Sequence, residues 1–294
     1  MSPRNLKLNS GYEIPIVGFG TYAATDDEGY KAVLEALKVG YRHIDTAFIY
    51  GNEKEVGQAI KDSGVPREQL FITTKVWPTD ARNPAKSLER SLELLKLEYV
   101  DLLLMHWPYP LKQDPENSGS FSGSGIDEDW DFVKTWQLFQ QLPKSQVRTI
   151  GVSNFTIKNL EKLLADPTMK TVPAVNQFEL HPWYPCSELV KYCQDKGLVV
   201  EAYSPVARGK GTGNSIVESI AKKHNAQPGQ IVLSWNVKRN VVVVPKSATP
   251  ARIAANFEIV DLDDADMAKL EELGKSQERI VNTVRIYGRD IFQD

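Results

Sequence analysis

Val100-Asp101-Leu102-Leu103-Leu104-Met105-His106 is the stretch whose reading decides the fold. It is apolar almost throughout and lacks the alternation of a strand with one wet face. Such a run suits a strand buried on both faces, as in parallel sheets covered by helices. Working outward, Phe71-Ile72-Thr73-Thr74-Lys75-Val76 precedes it as a strand, with a helix from about Asn83 to Leu97 between them. On the other side, a Pro-, Gly- and Ser-rich loop (Tyr109 to Gly125) and a helix from Trp130 to Leu142 lead to Thr149-Ile150-Gly151-Val152-Ser153. The same alternation reaches both ends. Upstream are Ile16-Val17-Gly18-Phe19-Gly20, a helix through Tyr30 to Leu37, the strand His43-Ile44-Asp45-Thr46-Ala47 and a helix from Glu53 to about Lys61. Downstream, Ala174 to Phe178, Leu198 to Tyr203 and Val241 to Val244 read as strands separated by helices. Eight strand–helix units without a dividing linker predict an α/β fold, a single (β/α)8 TIM barrel over residues 1–294. Leu6-Lys7-Leu8 and Glu13-Ile14-Pro15 add an N-terminal β-hairpin cap, and an extra C-terminal helix near Asp263–Leu273 and a tail complete the chain.

Composition narrows the possible partners. With 35 basic against 38 acidic residues, the net charge of −3 predicts no nucleic-acid surface. No apolar run approaches membrane-spanning length, and Met1-Ser2-Pro3-Arg4-Asn5-Leu6 has no signal-peptide core, so no membrane partner and a cytoplasmic location are expected. Cys186 and Cys193 fit neither a disulfide framework nor a zinc site, and no metal is expected. The expected oligomeric state is monomer or weak dimer.

Barrels of this kind carry their chemistry at the carboxyl ends of the strands. Those ends are Gly20-Thr21-Tyr22, Asp45, Lys75-Val76-Trp77, His106-Trp107-Pro108, Ser153-Asn154, Gln177, Tyr203-Ser204-Pro205 and Pro245-Lys246-Ser247. Tyr50 follows Asp45 by five positions, in the turn before Gly51-Asn52-Glu53 opens a helix with acid in its first turn. Each residue alone has an ordinary explanation: a solvated strand end for Lys75, a core imidazole for His106, a structural ion pair for Asp45 and Lys75. Their convergence on one face is harder to attribute to chance.

The order of these segments resembles the aldo-keto reductase family over nearly the whole chain, closest in appearance to fungal glycerol dehydrogenases and aldehyde reductases. Gly18-Phe19-Gly20-Thr21, His43 to Ala47, Tyr50 to Glu53, Thr74 to Trp77, Asp101 to Pro108, Gly151 to Phe155 and Pro245-Lys246-Ser247 carry the resemblance. It implies a nicotinamide-dependent carbonyl reductase with the catalytic tetrad Asp45, Tyr50, Lys75 and His106. The chemistry fits. Hydride addition leaves negative charge on oxygen, and a phenol of pKa about 10 gives up its proton reluctantly. An ammonium at Lys75 would stabilise phenolate at Tyr50, Asp45 would hold that ammonium, and His106 would polarise the carbonyl.

The resemblance also implies cofactor contacts. Ser153, Asn154 and Gln177 would hold the nicotinamide carboxamide and Tyr203 would stack on the ring. Thr21, Tyr22 and Asp45 would line the nicotinamide side, and Ser204, Pro205 and Val206 the pyrophosphate. Lys246, Ser247, Thr249, Arg252 and Asn256 would meet the adenosine end. Ala255 departs from the longer polar residue of many relatives. NADPH is the expected cofactor, because Lys246 and Arg252 are surplus for a 2′-hydroxyl but suit a 2′-phosphate, beside a helix start that Thr249 is expected to cap. The loop Arg208 to Gly213 is read as flexible, a pyrophosphate cover or a surface turn.

Tyr22, Phe48, Trp77, His106 and Trp107 are the candidate substrate-binding residues, with the Tyr109–Gly125 loop and the Arg285–Asp290 tail at the mouth. Small hydroxyaldehydes, aldoses and related carbonyls are the leading substrate class. Two other readings stand beside it: a nucleotide-binding regulatory subunit on the same barrel, and a barrel aldolase using Lys75 as a Schiff base. Tyr192 and Lys196 mimic the Tyr-x-x-x-Lys spacing of another reductase family, but on an amphipathic helix without a glycine-rich turn. The helix Val217 to His224, with Lys222 and Lys223, reads as a solvated basic face.

Overall fold

Val100–Met105 forms a strand whose six residues are all buried, parallel to Phe71–Val76 on one side and Val147–Ser153 on the other. The computed structural model describes residues 4–24, 26–114 and 123–292, so the Tyr109–Gly125 loop lies partly outside the described residues. In chain order the strands are β1 (Asn5–Lys7), β2 (Glu13–Pro15), β3 (Phe19–Gly20), β4 (His43–Asp45), β5 (Phe71–Val76), β6 (Val100–Met105), β7 (Val147–Ser153), β8 (Val175–Glu179), β9 (Val199–Tyr203) and β10 (Val241–Val243). The helices are α1 (Asp26–Val39), α2 (Glu53–Asp62), α3 (Pro84–Leu95), α4 (Phe132–Phe139), α5 (Ile157–Leu164), α6 (Ser187–Asp195), α7 (Ser215–Lys223), α8 (Pro228–Lys238), α9 (Pro250–Phe257), α10 (Asp264–Glu271) and α11 (Val284–Tyr287).

Strands β3 to β10 pair in sequence order, all in parallel. The seam closes between the first and last. Val17 bridges Val243 in parallel, Gly18 N–H donates to Val243 O at 2.8 Å, and Gly20 N–H donates to Pro245 O at 3.0 Å. Residue 20 must be glycine for this approach, since a Cβ there would stand 2.7 Å from Val244 O. The expected first strand, Ile16 to Gly20, is therefore divided. Its first part joins β10, and only Phe19–Gly20 pairs with β4.

The hairpin of β1 and β2 pairs Asn5 with Pro15 and Lys7 with Glu13, and sends Leu8, Ile14 and Ile16 into the core. Ser10 and Thr149 share a 2.9 Å hydrogen bond, which ties it to the start of β7 and so to the base of the barrel. Two helices, α7 and α8, separate β9 from β10. Ile231 to Val237 of α8 are all buried, so this helix has no polar stripe for periodicity to detect. Lys223 of α7 is not merely solvated: its ammonium bonds Asp263 at 2.6 Å and Asp266 at 2.9 Å, fastening α10 to the barrel wall.

Candidate active site

The upper ends of β4 and β5 place an acid and an amine side by side. Lys75 Nζ donates to Asp45 Oδ1 at 2.7 Å, Oδ2 at 2.8 Å and Thr46 O at 2.9 Å, and reaches Tyr50 Oη at 3.3 Å. Lys75 is 1% exposed and Asp45 3%, so the pair is sealed from water. Burial alone would lower the Lys75 pKa, but Asp45 and Tyr50 outweigh it and the net shift is upward. The ammonium stays charged. Tyr50 hangs from the short 3-10 turn Phe48–Tyr50, which Gly51 ends in a left-handed conformation at φ 69°.

The electrostatics of Tyr50 differ from the simple expectation of an acidified phenol. Burial pushes it up to about 12, and Lys75 opposes that only in part. The phenol therefore keeps its proton throughout the neutral range. His106, on the other side, is driven well below 6.5 by burial and then by Lys75, which leaves a neutral imidazole. Its ring centroid lies 5.8 Å from that of Tyr50, and Trp77 stands 5.1 Å away at 88°.

A second set of polar side chains continues the surface across β7, β8 and β9. Ser153 Oγ donates to Gln177 O at 2.7 Å, and Asn154 Nδ2 donates to His106 O at 2.9 Å. Tyr203 Oη donates to Asn154 Oδ1 at 2.8 Å, and Gln177 Nε2 donates to Asp45 Oδ2 at 2.8 Å. The chain of contacts thus runs from Tyr203 to His106 and from Gln177 to Lys75. Asn154 and Ser204 hold positive φ, 63° and 50°, a conformation that L-residues seldom adopt. Thr21 Oγ1 is buried without a hydrogen-bond partner among the described residues. The wall of amide and phenol groups fits a flat, amide-bearing ligand.

The far end of the groove is looser. Lys246 is 3.7 Å from Glu28 of α1, and the exposed Arg252 has no ion-pair partner among the described residues. Thr249 does not cap α9 with its side chain as expected. Its own N–H donates to Ser247 Oγ at 3.1 Å, so the buried Ser247 hydroxyl shapes the turn instead. Pro205 is buried, Val206 is half-buried, and Asn256 Oδ1 lies on the α8 side near Gly229. The Arg208–Gly213 loop is tied down rather than loose: Lys210 pairs with Glu278, and Gly213 N–H donates to Glu218 Oε1 at 2.8 Å.

Aromatic walls rise above Tyr50 and His106. Trp77, Trp107, Leu111, Ile286, Tyr287 and Ile291 form a separate apolar cluster. Tyr22 is 61% exposed, with its ring 5.2 Å from Tyr50. Phe48 is half-buried with the Arg90 guanidinium 3.4 Å over its ring, and its neighbour Ile49 packs on the cluster. Sequence reasoning missed Ile49, Leu111, Ile291 and Phe292, which periodicity does not mark in short loops. It also missed Glu179, whose carboxylate accepts from Ile280 N–H at 2.6 Å and Val281 N–H at 2.8 Å and so moors the tail. The signal was present, since Gln177 and Glu179 alternate onto the same face of β8. Tyr192 and Lys196 stand apart on and just after α6, with the ammonium 5.7 Å over the phenol ring.

Comparison with known proteins agrees with this fold. Residues 16–275 match the model of the aldo/keto reductase family. An aldehyde reductase of Saccharomyces cerevisiae is 48% identical over 286 residues, spanning 93% of this chain and 92% of its own. A glycerol 2-dehydrogenase (NADP(+)) of the same yeast is 48% identical over 297 residues, spanning 96% and 95%. The solved aldose reductase of Schistosoma japonicum matches with a TM-score of 0.88 at 34% identity, covering 98% of this chain and 97% of that one.

Proposed function

The chain belongs to the aldo/keto reductase family, and we propose that it reduces aldehydes to alcohols with NADPH, reversibly. The observation that carries this reading is Lys75 Nζ, shared between Asp45 at 2.7 Å and Tyr50 Oη at 3.3 Å. When bound, the cofactor supplies the hydride. The protein's part is then to hold the carbonyl and deliver a proton. His106, neutral, donates a hydrogen bond that orients the carbonyl oxygen. Tyr50 holds its proton until negative charge develops on that oxygen, and then gives it up while Lys75 stabilises the phenolate left behind. Asp45 keeps Lys75 charged and aimed.

Ser153, Asn154 and Gln177 would hold the nicotinamide amide against Tyr203, with Thr21 and Tyr22 beside it. Ser204, Pro205 and Val206 would follow the pyrophosphate, and Lys246, Ser247, Thr249, Arg252 and Asn256 the adenosine 2′-phosphate. The substrate mouth, walled by Tyr22, Trp77 and Trp107, suits small aldehydes and hydroxyaldehydes. The aldehyde reductase and glycerol dehydrogenase names of the relatives support that class. Following NADPH oxidation with small aliphatic aldehydes, glyceraldehyde, aldoses and aromatic aldehydes tests the proposal. Turnover of glyceraldehyde or a short aldehyde is expected, and no turnover with any of them would leave only a nucleotide-binding role. The Schiff-base reading fares worse. An amine held charged by a carboxylate and a carbonyl is a poor nucleophile, and borohydride should trap no adduct at Lys75.

A further inference from the structure

Glu201 lies inside the barrel on β9, fully buried, and neither of its carboxyl oxygens has a hydrogen-bond partner among the described residues. An ionised carboxylate there would be stripped of water with little to replace it. Its Oε1 stands 3.5 Å from His43 Nε2, which lies 3.1 Å from Thr73 Oγ1. The His43 ring fits only because residue 18 is glycine, where a Cβ would stand 2.5 Å from His43 Nδ1. Burial drives His43 down to about 4 against the pull of Asp45, so the imidazole offers no positive charge at neutral pH.

The titratable groups facing Glu201 are His43 and Asp45 from β4 and Lys75 from β5. On either side in the sheet, β8 brings Gln177 into register and β10 brings Val242. Gln177 donates to Asp45 Oδ2 at 2.8 Å and also lies close enough to Glu201 to ease its ionisation, a smaller effect than that of burial. The one cation, Lys75, is engaged by Asp45, Thr46 and Tyr50.

We propose that Glu201 is an uncharged, protonated acid beneath the proton-donating centre and acts as a positioning residue for it. While neutral, it leaves Lys75 to Asp45 and Tyr50. Once ionised in alkali, it adds a second anion beside Asp45, and Tyr50 then releases its proton less readily. Burial, reinforced by Asp45 and opposed by Lys75 and the Gln177 amide, raises Glu201 to about 8, which places this change just above neutrality. The proposal rests on Tyr50 as the proton donor.

The test compares wild type with Glu201→Gln, which keeps the shape and removes the proton. In ligand-free protein, thermal unfolding midpoints are followed between about pH 5 and 9. A carboxyl at about 4.3 when unfolded and about 8 when folded binds its proton longer in the folded state. Its contribution to stability falls as pH rises between those values. The variant's midpoint should therefore gain on wild type from pH 5 to 8 and then level off. In the NADPH assay, reduction by wild type should drop on the order of tenfold through a step near pH 8, as expected for one added buried charge. The variant should lack that step. A midpoint difference that does not change with pH would overturn the neutral acid. A changing difference with an unaltered step in rate would overturn the positioning role. The Tyr50 reading fails separately, if Tyr50→Phe keeps its activity while the unfolding result stands. Should the variant not fold, infrared spectra of wild type should lose a buried carboxylic C=O band between pH 6 and 9, and its absence at pH 6 would overturn the proposal.

Discussion

Around Tyr50, the side chains of Asp45, Lys75 and Gln177 are bonded to one another before any ligand arrives. At the other end of the groove, Lys246 has a 3.7 Å pairing and Arg252 none among the described residues. The first region is part of the barrel's interior and is fixed by it. The second stands on the start of a helix with its charges in water. Preorganised groups at the first can act on a reacting bond without rearranging, whereas the second can contribute mainly affinity. Substitutions should therefore fail in different ways at the two ends.

The largest expected effect is at the first end. Tyr50→Phe removes the donor and keeps the ring, so reduction should fall by about 10²–10⁴-fold, with NADPH affinity and melting temperature nearly unchanged. Steady-state rates with a cofactor titration check this, and a variant of near-normal rate would remove Tyr50 from the chemistry. Lys75→Met should also abolish useful turnover and, in addition, destabilise the fold by about 3–5 kcal/mol, because it strands a buried carboxylate. Denaturant unfolding measures that loss. If stability held, the interior pair would be no more integral than a surface pair, and the comparison would break.

Arg252→Ala sharpens the contrast from the opposite side. A hydrogen bond to a charged group contributes roughly 1.5–3 kcal/mol, so NADPH should bind about ten- to a hundredfold more weakly. NADH binding and thermal stability should stay the same. Fluorescence titration with both cofactors decides it, and equal losses would give Arg252 a structural role. Between the two ends, Glu179→Gln weakens the mooring of the tail together with the 3.0 Å contact to His181 Nε2. It should raise the substrate KM a few-fold, on the scale of about 1 kcal/mol for one hydrogen bond, while leaving cofactor affinity alone. The smallest effect is an absence. His106 sits well below 6.5, so reduction should not decline between about pH 7 and 6, since no imidazolium forms there. An acid limb in that interval would show that His106 titrates.

Most of the barrel was legible because the strands are short, many of them apolar runs bounded by turn residues, and β5 appears with the bounds expected of it, Phe71–Val76. What escaped was set by tertiary context. α8 is buried on all sides and so has no periodic stripe, and Ile16–Gly20 serves two neighbours across a seam that no local pattern announces. At the site, strand ends put Asp45, Lys75 and His106 on one face, and the structure brings Tyr50 to them. The phenol's raised pKa was not legible, because it depends on how much water the completed fold excludes. Phe48 and Ile49 are adjacent half-buried apolar residues in a turn, and only the completed fold shows Arg90 of α3 over Phe48 and Ile49 on the apolar cluster.

The grip of Glu179 on Ile280 and Val281 has a consequence for how this molecule can vary. The carboxylate holds main-chain N–H groups, which every residue except proline possesses. That part of the attachment asks for no particular side chain, although Ile280 and Val281 also pack on the two apolar clusters. Beyond it, residues 282–292 carry the Ile286, Tyr287 and Ile291 wall, and Thr283 Oγ1 closes that segment on Arg289 O and Ile291 N–H. The barrel behaves as a chassis and the tail as a faceplate hung in part on main-chain hooks, which proline at either mounting point would remove.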